Sequence, residues 1–494
     1  MTLLEQLPIL VVVVPLMAAP LCVLVDRPDP AWKVALGAAL ISLLCAVVLL
    51  LQVPDGGAIS YHLGGWAPPW GIEYRVDLLA ALVLLVVSAM ASLVMGFARD
   101  SVEQEIPGPR VARFYAAFLL ALAGLLGIVA TGDAFNLFVF LEISSLASYA
   151  LISMGRDRRA LNAAFQYLVM GTIGATFILI GVGFLYMMTG TLNMQDLAAR
   201  LPAVADTRTV RAGFAFLTVG IGLKLALFPL HLWLPNAYAF APSIVSAFLS
   251  ATATKVALYV MLRFMLGIFG ADFALEAMPL DTILMVLGVA GILSASLVAI
   301  YQTNVKRMLA YSSVAQIGYM VLGIGLATAA GVSASVLHLF NHALMKGALF
   351  LALGAVAYRL GSMSLRDFAG LSRRMPWTMA AIVIGGLSLI GVPPTVGFTS
   401  KWYLVLALIE RGWWPLAVIV LIGSVLALVY VWRLVEVAYL QRPAEDAPAP
   451  REAPLSMLAP IWLLVGANIY FGIDTHLSVG SAQRVAALLM GGGE

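Results

Sequence analysis

The sequence predicts an all-α polytopic membrane protein with about fourteen transmembrane helices, two of them broken along their length. Of the 494 residues, 62% are hydrophobic and 11% are charged, and the mean hydropathy is +1.00. Soluble domains are about 25% charged. The apolar residues form long windows of the roughly 20 residues that a helix needs to cross the hydrocarbon layer. The hydrophilic connections between them are too short to bury a core of their own, so no soluble domain is expected.

The apolar windows follow one another closely along the chain. They are residues 5–25, 32–52, 77–97, 114–131, 134–153, 164–188, 212–234, 243–267, 281–301, 308–328, 333–358, 378–409, 415–440 and 454–473. Helices are expected because unpaired backbone polar groups are too costly in lipid.

Basic residues give the orientation, since they collect in cytoplasmic loops. Connections after odd-numbered windows hold sixteen Lys and Arg residues, Lys306 and Arg307 among them, and those on the opposite side hold six. Both termini are therefore predicted outside the cytoplasm.

Four lysines lie inside apolar windows: Lys224, Lys255, Lys346 and Lys401. Insertion of each at a helix centre costs roughly 2.5–3.5 kcal/mol, which suggests a function. The alternative is that each pairs with a carboxylate or carbonyl only to fix helix packing. The one carboxylate well within a window is Glu142, and a buried carboxylate pairs best with a buried cation. We predict that Glu142 pairs with Lys224.

Other ionisable groups near the window ends have simpler interpretations. Arg263 and Arg433 are expected to extend to the membrane interface, as long basic side chains do. Asp77 and Asp133 lie near helix starts and are expected to face the interface.

His338, His342 and Lys346 are spaced four residues apart, which puts all three on one helix face. Three interpretations are open. An HxxxH pair can bind zinc, but a catalytic zinc site needs a third ligand and usually a glutamate base, and none is in register. The side chains could also be satisfied polar packing groups. The third interpretation is a proton relay, since histidine titrates near neutral pH and a desolvated lysine loses its proton readily.

Prolines interrupt two of the windows, Pro229 in one and Pro393 with Pro394 in the other. Proline removes a backbone hydrogen bond, and broken helices at membrane depth are tolerated where they line a hydrated cavity or contact protein. Two such breaks in corresponding halves are typical of inverted-repeat transporters. The predicted organisation is three N-terminal helices (1–113), a five-helix repeat (114–267), a second inverted five-helix repeat (281–440), and a last helix with a tail (454–494).

Four segments together resemble the antiporter-like subunits shared by respiratory complex I, membrane-bound hydrogenases and Mrp multisubunit Na⁺/H⁺ antiporters. They are FNLFVFLEISSLASYAL, GLKLALFPLHLWLPNAYAFAPSIVSAFLSATATKVALY, YQTNVKRMLAYSSVAQIGYM and HLFNHALMKGALFL. The resemblance implies fourteen helices with two inverted five-helix repeats, a Glu142–Lys224 pair and Lys255 as the central relay. It also implies that His338, His342 and Lys346 continue a proton-carrying axis that ends at Lys401.

The predicted function is therefore that of a proton-translocating subunit of a Na⁺/H⁺ antiporter, most similar to the Mrp D subunit. The alternative is the corresponding subunit of a redox complex of the complex I or hydrogenase type. A scaffold subunit or a carrier of hydrophobic substrates would not require the buried lysines. The expected partners are protons, Na⁺ or another monovalent cation, the lipid bilayer and other membrane subunits, in a bacterial or archaeal cytoplasmic membrane. We expect no nucleic acid, metal or cofactor, and no enzymatic activity in this subunit itself, because no dinucleotide or iron–sulfur motif is present.

Overall fold

The computed structural model describes residues 4–53, 57–443 and 450–491, and its fold is almost entirely helical. The first ten α-helices are α1 Leu7–Val25, α2 Pro28–Gln52, α3 Leu78–Glu105, α4 Val111–Ala130, α5 Ala134–Ser153, α6 Arg159–Thr189, α7 Met194–Arg200, α8 Arg208–Leu225, α9 Trp233–Phe240 and α10 Ser243–Leu262. They are followed by α11 Leu280–Ile300, α12 Val305–Gly325, α13 Ala329–Leu360, α14 Leu371–Arg374, α15 Pro376–Ile390, α16 Val396–Glu410, α17 Trp414–Leu440, α18 Leu455–Ile473 and α19 His476–Leu489. Short 3₁₀ helices lie at Leu4–Gln6, Leu63–Gly65, Gly108–Arg110, Leu201–Val204 and Leu365–Phe368, and π-helical segments at Arg263–Ile268 and Asp272–Ala277.

Twelve helices of the described ranges are long and apolar enough to cross a membrane, so the polytopic all-α fold class is confirmed. They are α1–α6, α10–α13, α17 and α18. The other two windows, 212–234 and 378–409, are each divided between two shorter helices, α8 with α9 and α15 with α16. The structure thus gives twelve spans by length and composition where the sequence predicted about fourteen, because the windows that contain Pro229 and Pro393–Pro394 are interrupted.

The most buried helices lie at the centre of the bundle. Every residue of α13 from Gly331 to Val356 is buried, and the apolar windows of α10 and α12 are 94% buried. By contrast, α1, α2, α6, α11 and α17 are at most 39% buried over their windows, so their outer faces are available to lipid or neighbouring subunits. The predicted site residues of α10 and α13 therefore lie on helices that are shielded on nearly all sides.

Two elements were not foreseen from the sequence. The hydrophilic connection after α2 contains an antiparallel hairpin of β1 Ala58–His62 and β2 Glu73–Asp77, in which Ile59 lies opposite Val76. The predicted tail contains α19, which packs against α13 and α3. Both are amphipathic or short elements that a search for long apolar windows does not detect.

Two basic residues have buried partners that the sequence did not indicate, and one of them, Lys306, lies elsewhere than predicted. Arg263 donates two hydrogen bonds to the Asp77 carboxylate, at 2.6 and 2.8 Å, and its side chain is 12% exposed. Asp77 directly precedes α3, so this pairing leaves the interfacial position of Arg263 a prediction. Lys306 is not in a loop: it lies in the first turn of α12, is 4% exposed, and donates to Ser243 Oγ at 3.0 Å. The sequence did not indicate either partner, because Asp77 and Ser243 are distant along the chain from the basic residues that they contact.

The Asp77–Arg263 pair predicts a pH-dependent stability. Burial raises the pKa of Asp77, but the charge and hydrogen bonds of Arg263 outweigh it and hold that pKa below its ordinary value. The stabilisation is therefore present above the ordinary carboxyl pKa and is lost as the pH falls through the lowered pKa of the folded state. Arg263→Ala should lower the free energy of unfolding by roughly 1.5–3 kcal/mol at neutral pH. The variant should then lose less stability than the original protein when the pH is lowered.

Thermal unfolding of the detergent-solubilised protein at several pH values measures this effect. The matched control is Arg99→Ala, which breaks an exposed pair in which both side chains are about half exposed. Exposed pairs contribute about 0–1 kcal/mol. Equal losses of thermal stability in Arg263→Ala and Arg99→Ala would contradict the larger contribution expected of the Asp77–Arg263 pair.

Candidate functional site

Glu142 and Lys224 meet between α5 and α8, but their contact is loose. Lys224 Nζ lies 3.9 Å from Glu142 Oε1 and donates a shorter hydrogen bond of 2.8 Å to Ser145 Oγ. Glu142 Oε1 is buried without a hydrogen-bond partner in the described residues, although 28% of the whole side chain is exposed. The sequence predicted that Glu142 is a buried carboxylate paired with Lys224. In the structure the Glu142 side chain is partly exposed, with its Oε1 buried near Lys224.

A cavity of about 40 Å³ adjoins Lys224 of this pair. Its polar lining comes from Lys224 and from Ser144, Ser145 and Ser148 of α5, and mainly apolar residues of α4, α6, α8 and α10 form the rest. A cavity needs roughly 10–15 Å³ and polar partners to hold a water molecule. This space therefore suits water between the Glu142–Lys224 pair and α10.

The break between α8 and α9 begins directly after Lys224. Ala226 has left-handed backbone geometry with a φ of 60°, the Phe228–Pro229 peptide is cis, and Trp233 Nε1 donates to the Leu223 carbonyl at 2.9 Å. This indole thereby satisfies one of the carbonyls that the end of a helix leaves free. Lys224 is consequently held in the last turn of α8, beside an interrupted segment of backbone.

Lys255 lies on α10 with none of its surface exposed. Its Nζ donates to the Ser250 carbonyl and lies 3.5 Å from Thr254 Oγ1. No carboxylate of the described ranges lies within ion-pair distance of it. Lys255 does lie within electrostatic range of His342 and Lys346, since α10 packs against α13.

The two histidines of α13 stack on each other. Their ring planes differ by 6° and their centroids are 5.9 Å apart. His338 Nδ1 is 2.7 Å from Ser400 Oγ and its Nε2 is 2.9 Å from Gln316 Oε1. Neither ring nitrogen of His342 has a hydrogen-bond partner in the described part of the chain, although the residue is fully buried. Such a group is suited to transient bonding with water.

Lys346 continues the same face of α13. Its Nζ donates to the Leu309 carbonyl at 2.7 Å and to Ser312 Oγ at 2.5 Å, both on α12. Of the three residues predicted to share this face, His338 and Lys346 thus both bond to α12, and His342 lies between them on α13.

Lys401 lies at the second break. Its Nζ donates to the carbonyls of Leu389 and Ile390 at 2.8 and 3.1 Å and to Ser424 Oγ at 3.0 Å. These carbonyls are in the last turn of α15, so Lys401 satisfies the end of the helix that the prolines interrupt. Three acceptors match the three N–H donors of an ammonium group. Gly391 has a φ of 92°, and a Cβ there would lie 3.2 Å from Lys401 Cδ, so this turn favours glycine.

Tyr319 of α12 connects Lys401 with His338. Lys401 Nζ lies 4.7 Å from the centroid of the Tyr319 ring, which is 5.9 Å from the His338 ring in an edge-to-face arrangement. Lys401, Tyr319 and His338 therefore form a continuous series of contacts in the protein interior.

The structure thus gathers the predicted residues in two groups. Glu142 and Lys224 form one, and Lys255, Lys346, His342, His338 and Lys401 form the other. The serine-lined cavity lies between Lys224 and α10, which carries Lys255. Within the described ranges, no three His, Cys, Asp or Glu side chains converge as metal ligands would.

Several polar partners in this site were not identified from the sequence: Ser145, Ser312, Gln316, Tyr319, Ser400 and Ser424. The available signal was the occurrence of hydroxyl and amide residues within otherwise apolar windows, in some cases next to or three residues from a charged one. That signal is weak, because serine also bonds its own helix backbone.

Comparison with known proteins gives consistent results. A family model described as "NADH:quinone oxidoreductase/Mrp antiporter, TM" matches residues 131–427. The chain is 44% identical over 499 residues to the N subunit of NADH-quinone oxidoreductase from Desulforudis audaxviator, covering 97% of this chain and 98% of that one. It is 30% identical over 469 residues to the D subunit of the Na⁺/H⁺ antiporter from Alkalihalophilus pseudofirmus, covering 95% and 94%. It also resembles a chain of the Mrp complex from Dietzia sp. DQ12-45-1b, with a TM-score of 0.91, 27% identity, and coverage of 99% and 98%.

Proposed function

We propose that this chain, which belongs to the family of transmembrane subunits shared by NADH:quinone oxidoreductases and Mrp antiporters, carries protons through its interior. The observation that carries the proposal is the series of buried lysine and histidine side chains, most of them held by carbonyls and hydroxyls. Ion pairing for packing alone does not account for it, because Lys224 is the one of the four site lysines with a carboxylate within 4 Å in the described residues.

The proposed path begins at the loose Glu142–Lys224 pair. Since Lys224 contacts both Ser145 and Glu142, a small movement of its ammonium group changes the strength of the ion pair. A strong pair holds the proton on Lys224, and a weak pair allows its transfer to water in the adjoining cavity. The two groups titrate together, so the pair acts as one switch.

The second part of the path runs through the centre of the bundle. Lys255 receives the proton and passes it by way of water to His342 and Lys346, which lie within its electrostatic range. His338 and Lys401 follow, on either side of Tyr319. Lys401 lies beside the break at Pro393 and Pro394, where interrupted backbone admits water and lets the proton leave.

The proposed complex is a redox-driven one, because identity to the NADH-quinone oxidoreductase relative is considerably higher than identity to the antiporter relative. This reverses the order that the sequence alone suggested. A monovalent cation/proton antiporter is the second candidate, favoured by the close structural likeness to a chain of an Mrp complex. In either complex the protein lies in a cytoplasmic membrane with both termini outside, and partner subunits supply the coupling reaction.

Everted vesicles containing the intact operon distinguish the two complexes. Acidification of the vesicle lumen on adding an electron donor, without Na⁺ dependence, supports the redox complex. Dequenching of a pH dye on adding Na⁺, with the proton gradient already present, supports the antiporter. Either signal should fall at least about tenfold in Lys224→Ala and persist in Lys33→Ala, which removes an exposed lysine. Full transport in Lys224→Ala would contradict the proposed path.

Tyr319 gives a further test of the path. Its ring contacts Lys401 Nζ and the His338 ring, so Tyr319→Phe should keep transport near the original rate. Tyr319→Leu removes the aromatic face and should reduce transport roughly two- to thirtyfold, as expected for a cation–π contact of about 0.5–2 kcal/mol. Rates in vesicles with equal amounts of assembled protein measure the difference. Equal rates for the two variants would exclude a role for the ring.

A further inference from the structure

A lateral pocket of about 450 Å³ lies between α6, α9 and α12, apart from the lysine–histidine path. Its polar lining comes from Gln166, Asn236, Arg307 and Tyr311. Asn236 Nδ2 donates to Gln166 Oε1 at 2.9 Å, so the two amides form one wall. The pocket is therefore a polar recess on the outer surface of a largely apolar bundle.

Arg307 is the charged group of this pocket, and it has no anionic partner in the part of the chain that the structure describes. No carboxylate of those ranges lies within ion-pair distance of its guanidinium. Its Nε is buried and makes no hydrogen bond to the described residues, and its Cζ lies 5.9 Å from the Tyr311 ring. A buried donor on a charged group is costly when unpaired, so the site calls for an anion.

The opening of the pocket is apolar. Phe165 and Leu232 are 65% and 68% exposed at its edge, and Val169 is 41% exposed. These side chains belong to outer surfaces of α6 and of the α8–α9 break. A soluble anion such as free phosphate gains nothing from them, whereas an acyl chain would cover them.

The polar part of the pocket and its apolar opening lie at different depths in the membrane, as the headgroup and acyl chains of a bilayer lipid do. Arg307 lies in the first turn of α12, and the basic residues predict that α6 and α12 both begin on the cytoplasmic side. Phe165 and Val169 lie six and ten residues beyond the first residue of α6, roughly 9–15 Å further along its axis. The cation is thus at headgroup level and the apolar opening at the level of the acyl chains.

We propose that this pocket binds one acidic glycerophospholipid, with its phosphate on the Arg307 guanidinium and an acyl chain against Phe165, Val169 and Leu232. Basic pockets between transmembrane helices on the cytoplasmic side bind anionic headgroups in this way. A planar guanidinium binds phosphate with paired hydrogen bonds, which gives the site its preference for phosphate. This inference does not depend on the proposed function.

Native mass spectrometry of the purified complex tests the proposal. After delipidation, the complex is titrated with phosphatidylglycerol or with phosphatidylcholine. We expect one phosphatidylglycerol binding event to weaken by about tenfold to a hundredfold in Arg307→Ala, to weaken less in Arg307→Lys, which keeps the charge but loses the paired hydrogen bonds, and to exceed phosphatidylcholine binding at that site. The matched control is Arg113→Ala, an exposed arginine in the first turn of α4 on the same predicted side of the membrane.

A second variant separates lipid binding from misfolding. Val169→Trp fills the opening and keeps Arg307, so it should also reduce phosphatidylglycerol binding while leaving the composition of the complex unchanged. A photoreactive residue at position 169 should capture lipid from the native membrane. Unchanged phosphatidylglycerol binding in both Arg307→Ala and Val169→Trp would overturn the proposal. Capture of a polypeptide from a neighbouring subunit at position 169 would equally overturn it.

Discussion

Lys255→Ala is expected to lower the rate of proton translocation by about a hundredfold or more, while the protein still inserts and assembles. Proton transfer by a positioned side chain contributes roughly 10²–10⁴-fold to a reaction rate. Lys255 is the one lysine of α10, and it lies within electrostatic range of both His342 and Lys346. Alanine would leave a gap in the path between the serine-lined cavity and α13.

The same variant distinguishes transport from packing. A lysine at a helix centre costs roughly 2.5–3.5 kcal/mol on insertion, so its removal should keep or raise the thermal stability. Its main acceptor, the Ser250 carbonyl, lies within α10 and keeps its place in the helical hydrogen-bonding pattern. Vesicle transport and thermal unfolding are measured together, with Lys33→Ala as the control. Normal transport would remove Lys255 from the path, and loss of transport together with unfolding would assign it a packing role.

The fold class was predictable because the hydrocarbon layer fixes the length of a spanning segment. All twelve spans of the described ranges coincide with predicted windows, and both remaining windows are interrupted near their prolines. The repeat boundaries stay a prediction. The β1–β2 hairpin and α19 could not be foreseen, since neither has a long apolar window and each depends on packing against distant helices.

The charged residues of the site could be predicted from the sequence, but most of their hydrogen-bond partners could not. A lysine inside an apolar window is conspicuous because its insertion is costly, whereas Ser145 or Gln316 is not. The failure at Lys306 has the same origin. A lysine at the edge of a window resembles a loop residue, and only the folded chain brings Ser243 to it. For Glu142, the sequence gives its position within the helix but does not show that 28% of its side chain is exposed.

Glu142→Ala and Lys224→Ala should each reduce transport at least about tenfold, and the double variant should be no slower than the slower single one. Residues that act as a unit are strongly non-additive. Lys224 without Glu142 loses the charge that controls its proton, and Glu142 without Lys224 has no proton carrier to control. The 3.9 Å separation and the shorter bond to Ser145 fit a pair that opens and closes.

A double-mutant cycle on transport rates in vesicles measures this coupling. Glu103→Ala, Lys33→Ala and their combination form the matched set, because both of these side chains are exposed and lie away from the site. The transport rate should be unchanged in all three of these control variants. If the effects of Glu142→Ala and Lys224→Ala multiplied, the two residues would act independently, and the switch would have to lie elsewhere on the path. Non-additive loss, with normal assembly of all three variants, would locate the control of the proton at this one contact between α5 and the end of α8.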